Sequence, residues 1–297
     1  MPTGTESPQS LWLHLLGAET LYYDAAGIRT RAIEAGTGEP LILLHGVGGH
    51  AEAYARNVVP LGNSFRTIAI DYLGHGLTGS IDAPLTKERY ARHVIDFMDA
   101  AGIQKATLLG ESLGGWIAVW ASLLYPDRVT SIIYAVGAKL VVPVDDASAR
   151  RTAAGRAELV RLSKQFTAEP SRENVRARLH WLFRDPRRDA TEELIDLRWA
   201  LYQRSEANGS RGHATGSALG DGDLTPDLLR TITHPMLVLW TDHNPSAAVA
   251  EAREAMKYLP NAQLVVMEDC GHWPQWEHPA AFNEIVRSYV ASQVAGG

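Results

Sequence analysis

The sequence predicts an α/β protein: a mostly parallel, doubly wound sheet with a helical segment inserted late in the chain. Three observations carry that expectation. Short, continuously apolar runs alternate with segments of helical period, as strands buried on both faces alternate with covering helices. One of those runs, Ala106-Thr107-Leu108-Leu109, ends in the tight turn Gly110-Glu111-Ser112-Leu113-Gly114 and then an apolar-periodic segment. From residue 141 to 223 the alternation stops, and charged, amphipathic stretches follow one another without a buried strand. The domain boundaries expected from this are a core of residues 1–140 and 224–297 and a helical lid of residues 141–223.

Taken in order, residues 1–10 are polar and expected to fray. Residues 10–18 have the pattern of a short helix. Residues 20–24 and 28–34, separated by Ala25-Ala26-Gly27, read as a β-hairpin at a sheet edge. Leu41-Ile42-Leu43-Leu44 is a buried strand running into the glycine-rich turn His45-Gly46-Val47-Gly48-Gly49-His50. Residues 67–70 form another such strand, 87–101 a helix closed by Gly102, and 129–136 the strand after the serine turn. Within the insertion, residues 149–165, 173–183 and 191–203 have helical character, and the glycine-rich stretch 209–222 reads as a return loop. The core resumes with strands at 236–240 and 263–267 and a last helix at 279–292.

Composition narrows the function classes. The chain has 297 residues, 45% hydrophobic and 21% charged, and a net charge of -6 with both signs dispersed, so it lacks a basic footprint for nucleic acid or an anionic membrane. The run Arg150, Arg151, Arg156, Arg161 is interleaved with Asp145, Asp146 and Glu158 and reads as a solvated helical face. A single cysteine, Cys270, excludes an internal disulfide framework and agrees with a reducing compartment. The apolar run 11–16 is too short for a signal sequence, and the expected location is the cytoplasm. There is no phosphate loop, dinucleotide fingerprint or metal-ligand cluster, so neither cofactor nor metal is expected; Gly46-Val47-Gly48-Gly49 is too weak to be such a fingerprint.

The chemistry centres on Ser112. A serine on a sharp strand-to-helix turn is exposed for attack, and Gly110 and Gly114 remove Cβ atoms where strand and helix crowd. A hydroxyl is a poor nucleophile until a base takes its proton. The expected base is His272, in Asp269-Cys270-Gly271-His272-Trp273 after the last strand; His45 reads as shaping the glycine turn, and His50, His75 and His243 as weak pocket candidates. The base needs an orienting partner just after the strand 236–240. Asp242 is the only carboxylate there and is the favoured reading, while spacing along the turn points to Asn244; an asparagine can orient an imidazole but cannot neutralise it, and Glu111, beside the nucleophile, is a weaker stand-in that reads first as bracing the turn or lining the site. Backbone N–H groups of Val47 and Leu113 are the expected oxyanion hole, each worth on the order of 3 kcal/mol of barrier.

Beyond the turn, longer stretches carry a resemblance. Cys270-Gly271-His272-Trp273-Pro274-Gln275-Trp276-Glu277-His278-Pro279, the insertion run Thr191-Glu192-Glu193-Leu194 to Arg198-Trp199, the block from Gly110 to Trp116 and the stretch from Tyr54 to Val58 are together similar to the meta-cleavage product hydrolases, carbon–carbon bond hydrolases of aromatic degradation within the α/β-hydrolase fold superfamily. The likeness runs from about residue 27 to 289 and is strongest in the last motif. It implies a small, acidic aromatic-degradation intermediate as substrate, with Arg198 pairing with its carboxylate, Trp273 walling the pocket, and Gly46 and Glu111 lining it. From the residues alone, Arg198 reads rather as a surface partner of Glu193 or Asp196, and Trp273 nearly as well as a packing aromatic. A carboxylesterase or lactonase is the alternative reading, and a non-catalytic small-molecule receptor on the same fold the remote third. Helical insertions of this kind often mediate pairing of two copies, so a homo-oligomer is compatible with the sequence. The chain departs from the resemblance at Glu111, where the family has asparagine, at Ala51 or Ala53, where an asparagine is expected, in a shorter glycine loop, and in the Thr241-Asp242-His243-Asn244-Pro245 turn.

Overall fold

The computed structural model describes residues 10–207 and 222–295. Eight strands form one sheet: β1 (Glu19–Ala25), β2 (Ile28–Ala35), β3 (Pro40–Leu44), β4 (Arg66–Ile70), β5 (Ala106–Glu111), β6 (Val129–Ala135), β7 (Met236–Thr241) and β8 (Ala262–Met267), in the order β1-β2-β4-β3-β5-β6-β7-β8. β1 and β2 form the expected antiparallel hairpin at one edge, β2 is antiparallel to β4, and every later pairing is parallel. The helices are α1 (Leu11–His14), α2 (Val58–Gly62), α3 (Lys87–Ala100), α4 (Leu113–Leu124), α5 (Asp146–Ala168), α6 (Arg172–Leu182), α7 (Pro186–Asp189), α8 (Glu192–Ala207), α9 (Pro226–Leu229), α10 (Val249–Ala255), α11 (Pro274–Glu277) and α12 (Pro279–Ala295).

Continuously apolar strands make sense in this arrangement because both faces are covered. Ile42, Leu44, Ile68, Ile70 and Leu108 pack on the side of α3, α4 and α10. Their neighbours Leu41, Leu43, Ala69 and Leu109 pack on the side of α2 and α12. Successive side chains point to opposite faces, so each strand feeds both layers.

Between β6 and β7 the chain leaves the sheet. Asp145 caps α5 by accepting from the N–H groups of Ala147 and Ser148, and Ser171 caps α6 through Asn174 N–H. α5, α6 and α8 match the helical stretches expected at 149–165, 173–183 and 191–203, each running a few residues further at one end or the other. A third apolar cluster joins them to the loop after β8: Phe166, Val175, Leu179, Leu182, Leu194 and Ile195 pack with Trp273 and Trp276. The chain leaving β6 and the chain returning to β7 meet in a parallel bridge, Leu140 with Leu224. The glycine-rich return at 209–222 lies outside the described residues except for Gly222, as does the polar start apart from Ser10. No helix among the described residues is long and apolar enough to cross a membrane.

Candidate active site

All the candidate residues come from segments that follow the carboxyl ends of β3, β5, β7 and β8, or from helices α6 and α8 above them, the position where an open α/β sheet presents its loops. Ser112 sits on the turn between β5 and α4 with φ +52° and ψ -114°, a left-handed backbone position that a non-glycine residue adopts only under local constraint. The glycines around it are obligatory. A Cβ on Gly110 would lie 2.1 Å from the Gly114 carbonyl, and one on Gly114 would lie 2.0 Å from Leu44 O. The turn is held by Ser112 N–H donating to Ala135 O at 3.0 Å and by Ala138 N–H donating to Ser112 O at 2.9 Å.

His272 is buried on the loop after β8, its N–H donating to Leu182 O at 2.8 Å. The loop is pinned by Glu277, whose carboxylate accepts from Gly271, Trp273 and Arg184 N–H at 3.0, 3.1 and 2.9 Å. Glu277 stands inside the sequence motif, but its bracing role appears only when those three N–H groups are seen to converge.

The favoured acid, Asp242, does not meet the histidine. Nδ1 of His272 lies 2.9 Å from Asn244 Oδ1, not from Asp242. The Asp242 carboxylate faces outward: it accepts from Asp269 and Cys270 N–H at 3.1 Å each and pairs with His243 Nδ1 at 2.8 Å. Partial burial works against its charge, but these donors outweigh it and hold the carboxyl below its ordinary range. Two residues further along the turn, Asn244 is fully buried, and its Oδ1 also accepts from Ser246 N–H and Oγ at 3.1 Å. Asp242 therefore shapes the turn and Asn244 orients the histidine.

Arg198 is not a surface residue. Glu193 instead accepts from Leu11 N–H and Ser10 Oγ, and Asp196 pairs with Arg172. Arg198 is 7% exposed, stands 5.4 Å above the Trp273 ring, and has no hydrogen-bond partner at Nη1. Burial, then the nearby Arg178, pushes its guanidinium down to about 9, with Glu111 working the other way. Arg178, on α6, was not anticipated. It is 6% exposed, donates to Val47 O at 3.1 Å, leaves Nε unpartnered, and is pushed down to about 10 by burial against the pull of Glu111. Its sequence signal was a basic residue on the buried stripe Val175, Leu179, Leu182 of an amphipathic helix.

Glu111 ends β5 with 1% exposure. Its Oε1 lies 3.1 Å from His272 Nε2, an ion-pair distance without hydrogen-bond alignment, and neither carboxylate oxygen has a hydrogen-bond partner among the described residues. Gly46 is glycine for this reason: a Cβ there would meet Glu111 Oε2 at 2.5 Å.

Ser112 and His272 lie where two chambers meet. One is a mostly apolar cavity of about 380 Å³ beneath α5, with Val136, Val141, Leu159, Val160 and Ala247 in its wall. The other is a small pocket of about 20 Å³ holding Glu111, Arg178, Arg198, Gly46 and Trp273. Val47 and Leu113 line the large chamber beside the serine, and neither N–H donates to a protein acceptor among the described residues. His45 stacks on Tyr72 at 4.2 Å beneath the glycine turn, and its Nδ1 donates to Gly46 O at 2.8 Å. His50 pairs with Glu52, His75 tilts against His45 and Tyr72, and His243 is half exposed. Ala51 and Ala53 are buried in the short helical turn that follows the glycine loop.

Comparison with known proteins bears on the family of the chain. The family model of the alpha/beta hydrolase fold matches residues 39–279. The chain is 32% identical to a 2-hydroxy-6-oxo-6-phenylhexa-2,4-dienoate hydrolase of Burkholderia cepacia, over 90% of this chain and 93% of that one. It belongs to the α/β-hydrolase family, among the meta-cleavage product hydrolases. Other relatives in this branch include a 2-hydroxymuconate semialdehyde hydrolase of Pseudomonas sp. strain CF600, 30% identical over 90% of this chain and 92% of that one. Among solved structures, the meta-cleavage product hydrolase of Pseudomonas fluorescens IP01 superposes with a TM-score of 0.73 at 25% identity, covering 93% of this chain and 99% of that one.

Proposed function

We propose that this enzyme hydrolyses the C5–C6 bond of a 2-hydroxy-6-oxo-hexa-2,4-dienoate, releasing a 2-hydroxypentadienoate and a carboxylic acid. The observation that carries the reading is the pair of unlike chambers meeting at Ser112. The small one has two buried arginines and one buried carboxylate, a net positive charge, with guanidinium donors left over for one anionic group. The large one accepts an apolar 6-substituent.

In this reading the substrate's carboxylate and 2-oxygen face Arg198, and Trp273 lies against the dienoate. Both arginines ride on helices of the insertion, which acts as a lid: the small chamber widens for substrate when α6 and α8 move. The dienol first becomes a ketone, its O–H proton leaving and a proton arriving on C5. His272 Nε2 then takes the Ser112 proton as Oγ attacks the C6 carbonyl. Val47 and Leu113 N–H hold the resulting oxyanion. Collapse breaks C5–C6, the fragment leaves as a stabilised dienolate that takes the proton from His272, and water activated by the neutral imidazole then releases the acid from Ser112. The substrate is a small molecule met in the cytoplasm, and no further partner is required for the chemistry.

The test follows loss of dienolate absorbance of 2-hydroxy-6-oxo-6-phenylhexa-2,4-dienoate, with p-nitrophenyl acetate in parallel. Ser112→Ala is expected to abolish turnover of both. Arg198→Ala is expected to lower kcat/KM for the dienoate by roughly 10²–10³-fold and leave the neutral ester within roughly threefold. Rapid ester turnover with no bleaching, and a silent Arg198→Ala, would replace the reading with that of a carboxylesterase.

A further inference from the structure

Asn244 leaves a problem that the site must solve elsewhere. Its Oδ1 is the acceptor for Ser246 N–H and Oγ, so His272 Nδ1 carries the hydrogen that it donates to that same oxygen. The ring is thereby oriented with Nε2 free to act as base. When Nε2 takes a proton, however, the imidazolium gains a neutral amide on the Nδ1 side where this chemistry ordinarily has a carboxylate. Asp242, the nearest carboxylate in the turn, is committed to Asp269 and Cys270 N–H and to His243.

One carboxylate does reach His272. Glu111 Oε1 is 3.1 Å from Nε2, and both its oxygens are buried without a hydrogen-bond partner. A buried carboxylate in that condition is costly unless a charge or donor meets it during function. The groups that face it are His272, Arg178, Arg198 and the phenols of Tyr54 and Tyr72; the two arginines offset its charge without hydrogen-bonding to it. Glu111 lines the small chamber together with Ser112 and His272 and is not part of the apolar cavity's lining.

We propose that Glu111 is the charge partner of His272: it stabilises the imidazolium from the Nε2 side, in place of an acid on the Nδ1 side. The proposal rests on Ser112 and His272 being nucleophile and base, but not on the identity of the substrate, so any acyl substrate reads it out. Glu111 acts through His272 and is a positioning residue in this role. The charge has been moved across the ring: neutral where Asn244 stands, negative where Glu111 stands.

A reciprocal exchange tests this. Asn244→Asp is structurally mild, because Oδ1 keeps its donors and the buried Nδ2, which has no partner, is removed. Glu111→Gln is expected to lower kcat roughly 100-fold on p-nitrophenyl acetate with KM within roughly threefold, and the double variant Glu111→Gln/Asn244→Asp to recover to within roughly tenfold of wild type. Recovery by a charge placed on the opposite nitrogen is something a merely structural glutamate would not give. The proposal is overturned if Glu111→Gln keeps kcat within threefold, or if the double variant is no faster than the single one. If Glu111→Gln does not fold, the shorter carboxylate of Glu111→Asp, drawn back from His272 Nε2, decides the matter through the rate at which a fluorophosphonate labels Ser112. A fall of more than roughly threefold that adding Asn244→Asp reverses is expected, and a smaller fall, or one that Asn244→Asp does not reverse, overturns the proposal. Ester data that behave as expected while the dienoate is not turned over would leave this inference standing and remove the substrate assignment alone.

Discussion

The two chambers that meet at Ser112 are built from opposite materials. The larger has a mostly aliphatic wall from α5 and the loops after β6 and β7, with Lys139, Arg156, Lys164 and Asp223 also in its lining. The smaller gathers two guanidinium groups, a carboxylate and an indole into a space only a little larger than one water. The first recognises by shape, where each methylene is worth a modest factor. The second recognises by charge, where an unpaired partner is left buried at high cost. The proposed function assigns selectivity for an acidic substrate to the small chamber, and tolerance of different substituents to the large one.

The sharpest way to break this contrast is at Arg178. Replacing it by methionine keeps volume and removes one of the two cations, so the small chamber, holding Glu111 and Arg198 alone, becomes electrically neutral. KM for the dienoate is expected to rise by roughly 10–100-fold, with the neutral ester within roughly threefold. Equal losses on both substrates would mean that Arg178 serves the glycine turn, through its bond to Val47 O, more than the ligand.

How much of this was legible in the sequence follows the same division. The strand-turn-helix unit around the serine could be read because backbone sterics dictate it: Gly110 and Gly114 have no substitute at 2 Å from neighbouring carbonyls. Apolar walls could be anticipated as a lid of amphipathic helices, since periodicity marks a buried stripe. The charged chamber could not. Arg198 was reached through resemblance, while its isolated sequence context pointed rather to a surface pair with Glu193 or Asp196. Arg178 broke an apolar stripe and was passed over. The choice between Asp242 and Asn244 depended on which way a five-residue turn points its side chains, and turn geometry is set by contacts with residues 269 and 270, far along the chain. Glu111 is legible as a weaker stand-in for the acid because it stands beside the nucleophile, but the sequence does not say that its carboxylate lies on the Nε2 side of His272.

A smaller effect is expected in the large chamber. Ala247, 6% exposed, forms part of its wall away from the arginines. Ala247→Phe should lower kcat/KM for the 6-phenyl dienoate by roughly tenfold and leave the 6-methyl compound within roughly threefold. If both fall together, the ring occupies some other space and the division of labour between the chambers is drawn wrongly.

The mildest perturbation is acid, and it tests what the chambers have in common. His45 supports the glycine turn whose Val47 borders both, and His93 lies in α3 below, accepting from Leu73 N–H at 3.2 Å and bonded to Thr30 Oγ1 at 2.9 Å. Burial pushes both imidazoles from 6.5 down to about 4. Between those values the unfolded chain binds protons that the folded chain refuses. Their contribution is thus complete above pH 6.5 and is lost as the pH falls towards 4, by up to about 3 kcal/mol for each ring. Glu251 and Glu277, whose carboxyls burial pushes up, oppose this over their own range, because there the folded chain is the one that takes the proton first. Urea unfolding at pH 7 and pH 4.5 should show a net loss of stability, made smaller by His93→Gln. In the same range, activity on the dienoate and on the ester should decline in parallel, since the turn serves both. A decline confined to the dienoate would place the acid-sensitive group in the charged chamber instead, and so separate the two regions by pH as cleanly as Arg178→Met separates them by charge.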